Sequence, residues 1–138
     1  MTYAFDTNIV TYLIRDDEYV AKRFEQEIIQ GNHLYVIPPV AVFEIKRWLL
    51  EYKSQPYQAL AASFEALYRD VRGHALMRAP EWEKAAEIYL SLKQKGELIE
   101  DADILIAAYC MVNDYVLVTN NLKHFCRVVG LKLDNWKE

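Results

Sequence analysis

Two cysteines, four glycines and four prolines are few for 138 residues, and each shortage excludes something. Cys110 and Cys126 make neither a disulfide framework nor a zinc cluster. With so little Gly and Pro there is no linker, no low-complexity tract and no glycine-rich phosphate loop. No nucleophile elbow is present either. His33, His74 and His124 show no ligand spacing, and "HFC" at 124–126 is too little for zinc. The longest apolar run, "ILIAAYCMV" at 104–112, is far short of the ~18 residues that cross a bilayer. Near the start there is no basic leader, so the expectation is a cytoplasmic protein with no membrane association. A net charge of −4 argues against a basic protein that coats nucleic acid. It leaves a nuclease open, because metal-binding carboxylates themselves make a chain acidic.

What the chain does have is apolar residues, 53% of the total, enough for the core of a single domain spanning 1–138. Residues 2–5 read as a short buried strand and 7–14 as a helical turn or two. Val20, Phe24 and Ile28 recur at four-residue steps over 18–30, an amphipathic helix ended by Gly31. "HLYVI" reads as a second strand, stopped by Pro38 and Pro39, the latter opening the helix "VAVFEIKRWLLEY". Over 57–69, Tyr57, Leu60, Ala61, Phe64, Leu67 and Tyr68 share a helical face. "HALMR" at 74–78 has the look of a short strand. Pro80 opens a helix with Trp82, Ala85, Ala86 and Tyr89 in one stripe, and Gly96 terminates it. Residues 101–112 are apolar nearly all round, as in a buried helix, and "YVLVT" at 115–119 is β-branched and strand-like. The tail "RVVGLKLDNW" adds an edge strand. Strands alternating with helices, without polar alternation along the strands, predict an α/β doubly wound domain with a covered parallel sheet.

In such a sheet, ligands bind beyond the carboxyl ends of the strands. Asp6 stands just past the first strand, and Thr119, Asn120 and Asn121 just past "YVLV". Glu44 lies a turn into the helix after "HLYVI", while Asp101 and Asp103 open the buried helix. If these segments converge, two like charges ~4 Å apart repel by ~4 kcal/mol at an effective dielectric of ~20. Such a cluster keeps protons at raised pKa or takes up a cation. A hard divalent ion suits oxygen donors: Mg²⁺ keeps several waters beside one or two carboxylates, and Mn²⁺ accepts similar ligands. The reaction such a centre favours is phosphodiester hydrolysis by an activated water. Each residue also has a plainer role. Asp6 serves equally as a helix N-cap. Asp101 and Asp103 suit the positive end of a helix dipole. Glu44, among apolar neighbours, needs Lys46, Arg47 or another base, and Asn120 and Asn121 suit a turn.

The motifs in order say more. "FDTNIV", "VFEI", "DADILIAAY", "LVTNNLKHF" and "VVGLKLDNW" together resemble PIN-domain ribonucleases, above all the VapC toxins of type II toxin–antitoxin pairs, over nearly the whole chain. The resemblance implies a three-layer α/β/α fold with a parallel sheet of about five strands. It implies Asp6, Glu44 and Asp103 as the acids that hold Mg²⁺ or Mn²⁺ for endonucleolytic RNA cleavage, with Thr119 and Asn121 as supporting polar positions. A cognate VapB-like antitoxin and a homodimer are implied as partners. Many relatives carry an acid after the last main strand, where this chain has Asn121 and His124; the nearby Asp101 is the substitute acid the sequence offers. The alternative function is a non-catalytic PIN-like module that binds RNA or protein.

Overall fold

A strand of four residues or fewer is stable only when neighbours cover it, and every strand among the described residues is that short. The computed structural model describes residues 1–51, 57–71 and 76–137. Its sheet is parallel and four-stranded, in the order β2-β1-β3-β4, with β1 (Thr2–Phe5), β2 (Leu34–Val36), β3 (Val116–Val118) and β4 (Leu133–Asp134). The helices are α1 (Thr7–Ile14), α2 (Glu18–Gln30), α3 (Pro39–Glu51), α4 (Tyr57–Asp70), α5 (Ala79–Gln94), α6 (Asp101–Asn113) and α7 (Leu122–Phe125). β1 aligns Tyr3 with both Tyr35 and Val116, which makes it central. Ala4 and Phe5 are accordingly fully buried.

Alternation along β1 points successive side chains to opposite faces. Phe5 meets Phe24 of α2 edge-on at 5.5 Å and Trp136 of the tail at 5.3 Å, so α2 and the tail cover one face. α6 packs against β3, α3 and α5; its Ile106, Ala107, Ala108 and Cys110 are fully buried. This is the expected three-layer arrangement. Gly31, at φ +77°, closes α2 in the left-handed conformation that glycine adopts without strain.

Four expectations need correction. The sheet has four strands among the described residues, not five. The strand expected over 74–78 falls partly on residues outside the described set, and 76–78 have no regular structure. On α5, Trp82 and Tyr89 are exposed, and the face turned inward is Glu81, Ala85, Ile88 and Leu92. Aromatic size suggested a core stripe, but the helix buries its small and aliphatic positions against α6. On α2, Val20 is buried whereas Ile28 is exposed.

Candidate active site

The chain leaves β1 toward β2 on one side of the sheet, while β3 returns to pair with β1 on the other. The β1/β3 boundary is therefore where the winding reverses, and a crevice opens at its carboxyl end. Asp6 and Thr119 are the first residues past β1 and β3, so both project there. The Asp6 amide donates to the Val118 carbonyl at 3.0 Å, which continues the ladder one step past the strands.

Asp6 is 4% exposed. Its Oδ1 accepts from the Thr7 amide at 2.8 Å, capping α1, and its Oδ2 accepts from the Thr119 hydroxyl at 2.8 Å. Thr119, itself buried, accepts from the Asn121 amide at 2.9 Å. A chain of donors thus runs from the loop after β3 into one carboxylate. The N-cap role and the cluster role of Asp6 coexist. Burial pushes the Asp6 carboxyl above its ordinary pKa, the bonds from Thr119 and Thr7 pull it back, and the Glu44 charge adds to the rise.

Glu44 reaches the same crevice from α3. Its Oε1 accepts from the Thr7 hydroxyl at 2.6 Å, and its Oε2 stands 3.9 Å from Arg47 Nη2 one turn along. Asp103 comes from the first turn of α6, with its side chain 16% exposed. Its carboxyl is pushed up to about 7 by burial first, then by the charges of Asp6, Glu44 and Glu100. Carboxylates from three elements therefore sense one another across one rim. Asp101, two residues away, does not share a helix face with Asp103. It is exposed and lines a groove with Phe43, Glu44, Arg47, Glu100 and Leu105. Asn120 is also exposed and donates to the Tyr12 hydroxyl at 3.3 Å.

Two residues at the rim went unassigned in the sequence. Thr7 bridges two acid-bearing elements through its amide and its hydroxyl, and the signal for it was the hydroxyl inside "DTN". His124 Nδ1 lies 3.8 Å from Asp103 Oδ2 and 2.9 Å from Asn121 Nδ2. The signal for His124 was its spacing of three from Asn121, which puts both on one side of a helical turn.

The donors at this rim are carboxylate oxygens, a hydroxyl and one imidazole, a set that suits a hard or borderline divalent ion. Among the described residues, no three His, Cys, Asp or Glu side chains are placed to hold a metal ion between them. An ion at this rim would take one or two carboxylates directly and keep waters toward the rest. A polar groove of about 400 Å³, lined by Thr7, Asn8, Tyr12, Arg15, Glu44 and Arg47, leads from Glu44 to solvent.

The family model for the PIN domain matches residues 3–131. The chain is 30% identical over 138 residues to Ribonuclease VapC2 of Haemophilus influenzae, an alignment covering 99% of this chain and 98% of that one. Its fold is similar to that in the crystal structure of VapBC2 from Rickettsia felis bound to a DNA fragment from their promoter. That likeness has a TM-score of 0.87 at 26% identity and covers 99% of both chains. VapBC-1 from nontypeable Haemophilus influenzae is also similar, at a TM-score of 0.83 and 26% identity over the whole of both chains.

Proposed function

The chain belongs to the PIN-domain family, and from that premise we propose that it is a VapC-type endoribonuclease, the toxin of a toxin–antitoxin pair. The observation that carries the reading is the convergence of Asp6, Glu44 and Asp103 on one crevice, where burial first and then the charges of Asp6, Glu44 and Glu100 push the Asp103 carboxyl up to about 7. Anions crowded this way are stable in ionised form only beside a cation, and the donor set selects a divalent one, Mg²⁺ or Mn²⁺. When bound, that ion supplies an activated water and neutralises charge that develops on the phosphate oxygens.

The remaining work belongs to the chain. Asp6 is the fixed point, because the Thr7 amide and the Thr119 hydroxyl hold its two oxygens at 2.8 Å each. Asp103 is the second holder of the ion, brought to the rim by the buried body of α6. Glu44 turns Oε1 to Thr7 and leaves Oε2 toward Arg47 and the crevice, where it orients water and accepts its proton. Thr119 and the Asn121 amide fix Asp6 rather than touch substrate. Arg47, 55% exposed at the mouth of the groove, is placed to meet a phosphate of the RNA. Asp101 lies outside this set. The partners follow from the similar proteins: a VapB-like antitoxin and a second copy of this chain. Among the described residues no helix is long and apolar enough to cross a membrane.

Purified protein is expected to cut structured RNA internally with Mg²⁺ or Mn²⁺ and to stop on EDTA addition. Asp6→Asn is expected to abolish cutting while leaving the circular dichroism spectrum in place. A folded wild type inert on all RNA offered, with either metal, overturns the proposal.

A further inference from the structure

Two grooves leave the acid rim at Glu44, and they differ in the charge they present. One is the polar groove of about 400 Å³ between α1 and α3. The other, of about 520 Å³, runs between α3 and the start of α6. Glu44 and Arg47 line both. The first adds Arg15 and Glu51, so two guanidiniums face two carboxylates. The second adds Glu100 and Asp101, so one guanidinium faces three carboxylates. A polyanion that approaches the rim is therefore repelled less along the first.

The walls of this groove follow from helix periodicity. Asn8, Tyr12 and Arg15 recur at steps of four and three along α1 and its C-cap, and Glu44, Arg47 and Glu51 at steps of three and four along α3. Each trio therefore shares one face. Tyr12 is fixed at both ends: its hydroxyl accepts from Asn120 Nδ2 at 3.3 Å, and the Lys137 ammonium stands 4.5 Å from its ring centroid. Lys137 is in turn ion-paired with Asp17, the N-cap of α2. An aromatic ring held this way meets a flat ligand at little cost in side-chain entropy. Arg15 is exposed, and among the described residues its side chain has no hydrogen-bond or ion-pair partner. It caps the far end of α1, about 12 Å along the axis from Thr7 at ~1.5 Å per residue. A phosphate held there lies beyond the one at the acid rim.

Resting on the function proposed above, we propose that an unpaired stretch of RNA enters the rim through the α1–α3 groove, with one base against Tyr12 and with Arg15 and Arg47 on the phosphates to either side. A duplex keeps its base faces stacked inside, whereas an unpaired nucleotide offers face, edge and phosphate at once. The groove has the volume of a small-ligand pocket, enough for one such nucleotide. The exposed Asn8 amide on the same wall both donates and accepts, as a base edge requires. The guanidiniums set the register of the strand and the ring selects against paired bases. A protein segment is the competing occupant, and it is indifferent to base pairing.

The test uses the full chain. Asp6→Asn protein is offered a short single-stranded RNA of mixed sequence carrying 4-thiouridine, and the cross-linked peptide is identified by mass spectrometry. The cross-link is expected on the peptide that contains Tyr12. A cross-link confined to peptides from the second groove, with Phe43 or Leu105, overturns the route, and so does the absence of any. By fluorescence anisotropy, the same sequence closed into a duplex should bind at least about tenfold more weakly. Arg15→Gln is expected to raise KM about tenfold with kcat within about threefold, and to lower the salt slope of binding by about 0.7, the loss of one single-strand phosphate contact. Tyr12→Ala is expected to weaken RNA binding roughly tenfold, and Tyr12→Phe to recover most of it because the ring remains. Trp82→Ala, outside the groove, should shift binding by less than about threefold. Equal binding of strand and duplex, or RNA binding unmoved in both Arg15→Gln and Tyr12→Ala, overturns the proposal and leaves the groove to a protein segment. The underlying reading fails separately: a wild type that binds the strand at Tyr12 without cutting it removes the nuclease and keeps the route.

Discussion

The two ends of α6 each meet a carboxylate withdrawn from water, and the two are treated in opposite ways. At the far end, Glu81 of α5 is fully buried, yet it accepts from Arg78 Nη2 at 3.0 Å, from Arg78 Nε at 3.2 Å, from the Arg78 amide at 3.2 Å and from Asn113 Nδ2 at 3.2 Å. Burial alone pushes that carboxyl up, but the bonds from Arg78 and Asn113 outweigh it and hold the group below its ordinary pKa. At the near end, burial and then the charges of Asp6, Glu44 and Glu100 push Asp103 up to about 7, and among the described residues it has no Arg or Lys partner, only the His124 ring 3.8 Å away. Burial costs both groups; only one has been compensated within the chain. A compensated carboxylate pins α5 to α6. An uncompensated one is suited to chemistry with a cation, and the contrast separates structure from chemistry more sharply than burial does.

The strongest challenge to this contrast is to neutralise each group. Asp103→Asn should lower RNA cleavage by at least about a hundredfold while raising the thermal midpoint of the metal-free protein at pH 8, because it removes repulsion. Glu81→Gln should do the reverse. It should cost about 1–3 kcal/mol in denaturant unfolding, because one oxygen turned donor faces Arg78, and cleavage below the melting range should stay within about twofold. Two variants that lose activity alike, or stability alike, would dissolve the distinction.

A smaller effect should appear in pH dependence. Asp103 and Asp6 both titrate above their ordinary range in the folded protein, so between about pH 4 and 7 the native state binds more protons than the unfolded chain. Stability of the metal-free protein must therefore fall as pH rises through that window. Thermal scans at pH 5 and 8 in EDTA should show the drop, and Asp103→Asn should flatten it. A midpoint that rises across the window instead would mean the rim is not a cluster of mutually repelling acids. The smallest effect belongs to Asp101→Asn, which should change cleavage less than about twofold, since that side chain looks into the groove beside Leu105. A loss matching that of Asp103→Asn would move the site.

Much of this was legible from residue order. β1, β3 and most helix boundaries followed from apolar runs, proline at helix openings and Gly31, because those signals are local. Asp6, Glu44 and Asp103 could be named through the motif set and the rule that ligands gather at strand ends. Side-chain partnership could not be read, because it depends on rotation about helix axes. Thr7 to Glu44 spans 37 positions and Asp6 to Thr119 spans 113. The α5 stripe failed for the same reason: Trp82 and Tyr89 have the right period, but the rotation that seats Glu81 against Asn113 turns them outward. Glu81 itself looked like an ordinary first-turn acid.

The clasp between Asp6 and Thr119 has a consequence for the timing of synthesis. One half of it leaves the ribosome among the earliest residues, and the other only once most of the chain has emerged. Until β3 slots in beside β1, the carboxylate has no hydroxyl to steady it and the crevice has no second wall. The carboxylate site is thereby assembled only when nearly the whole chain is available to fold.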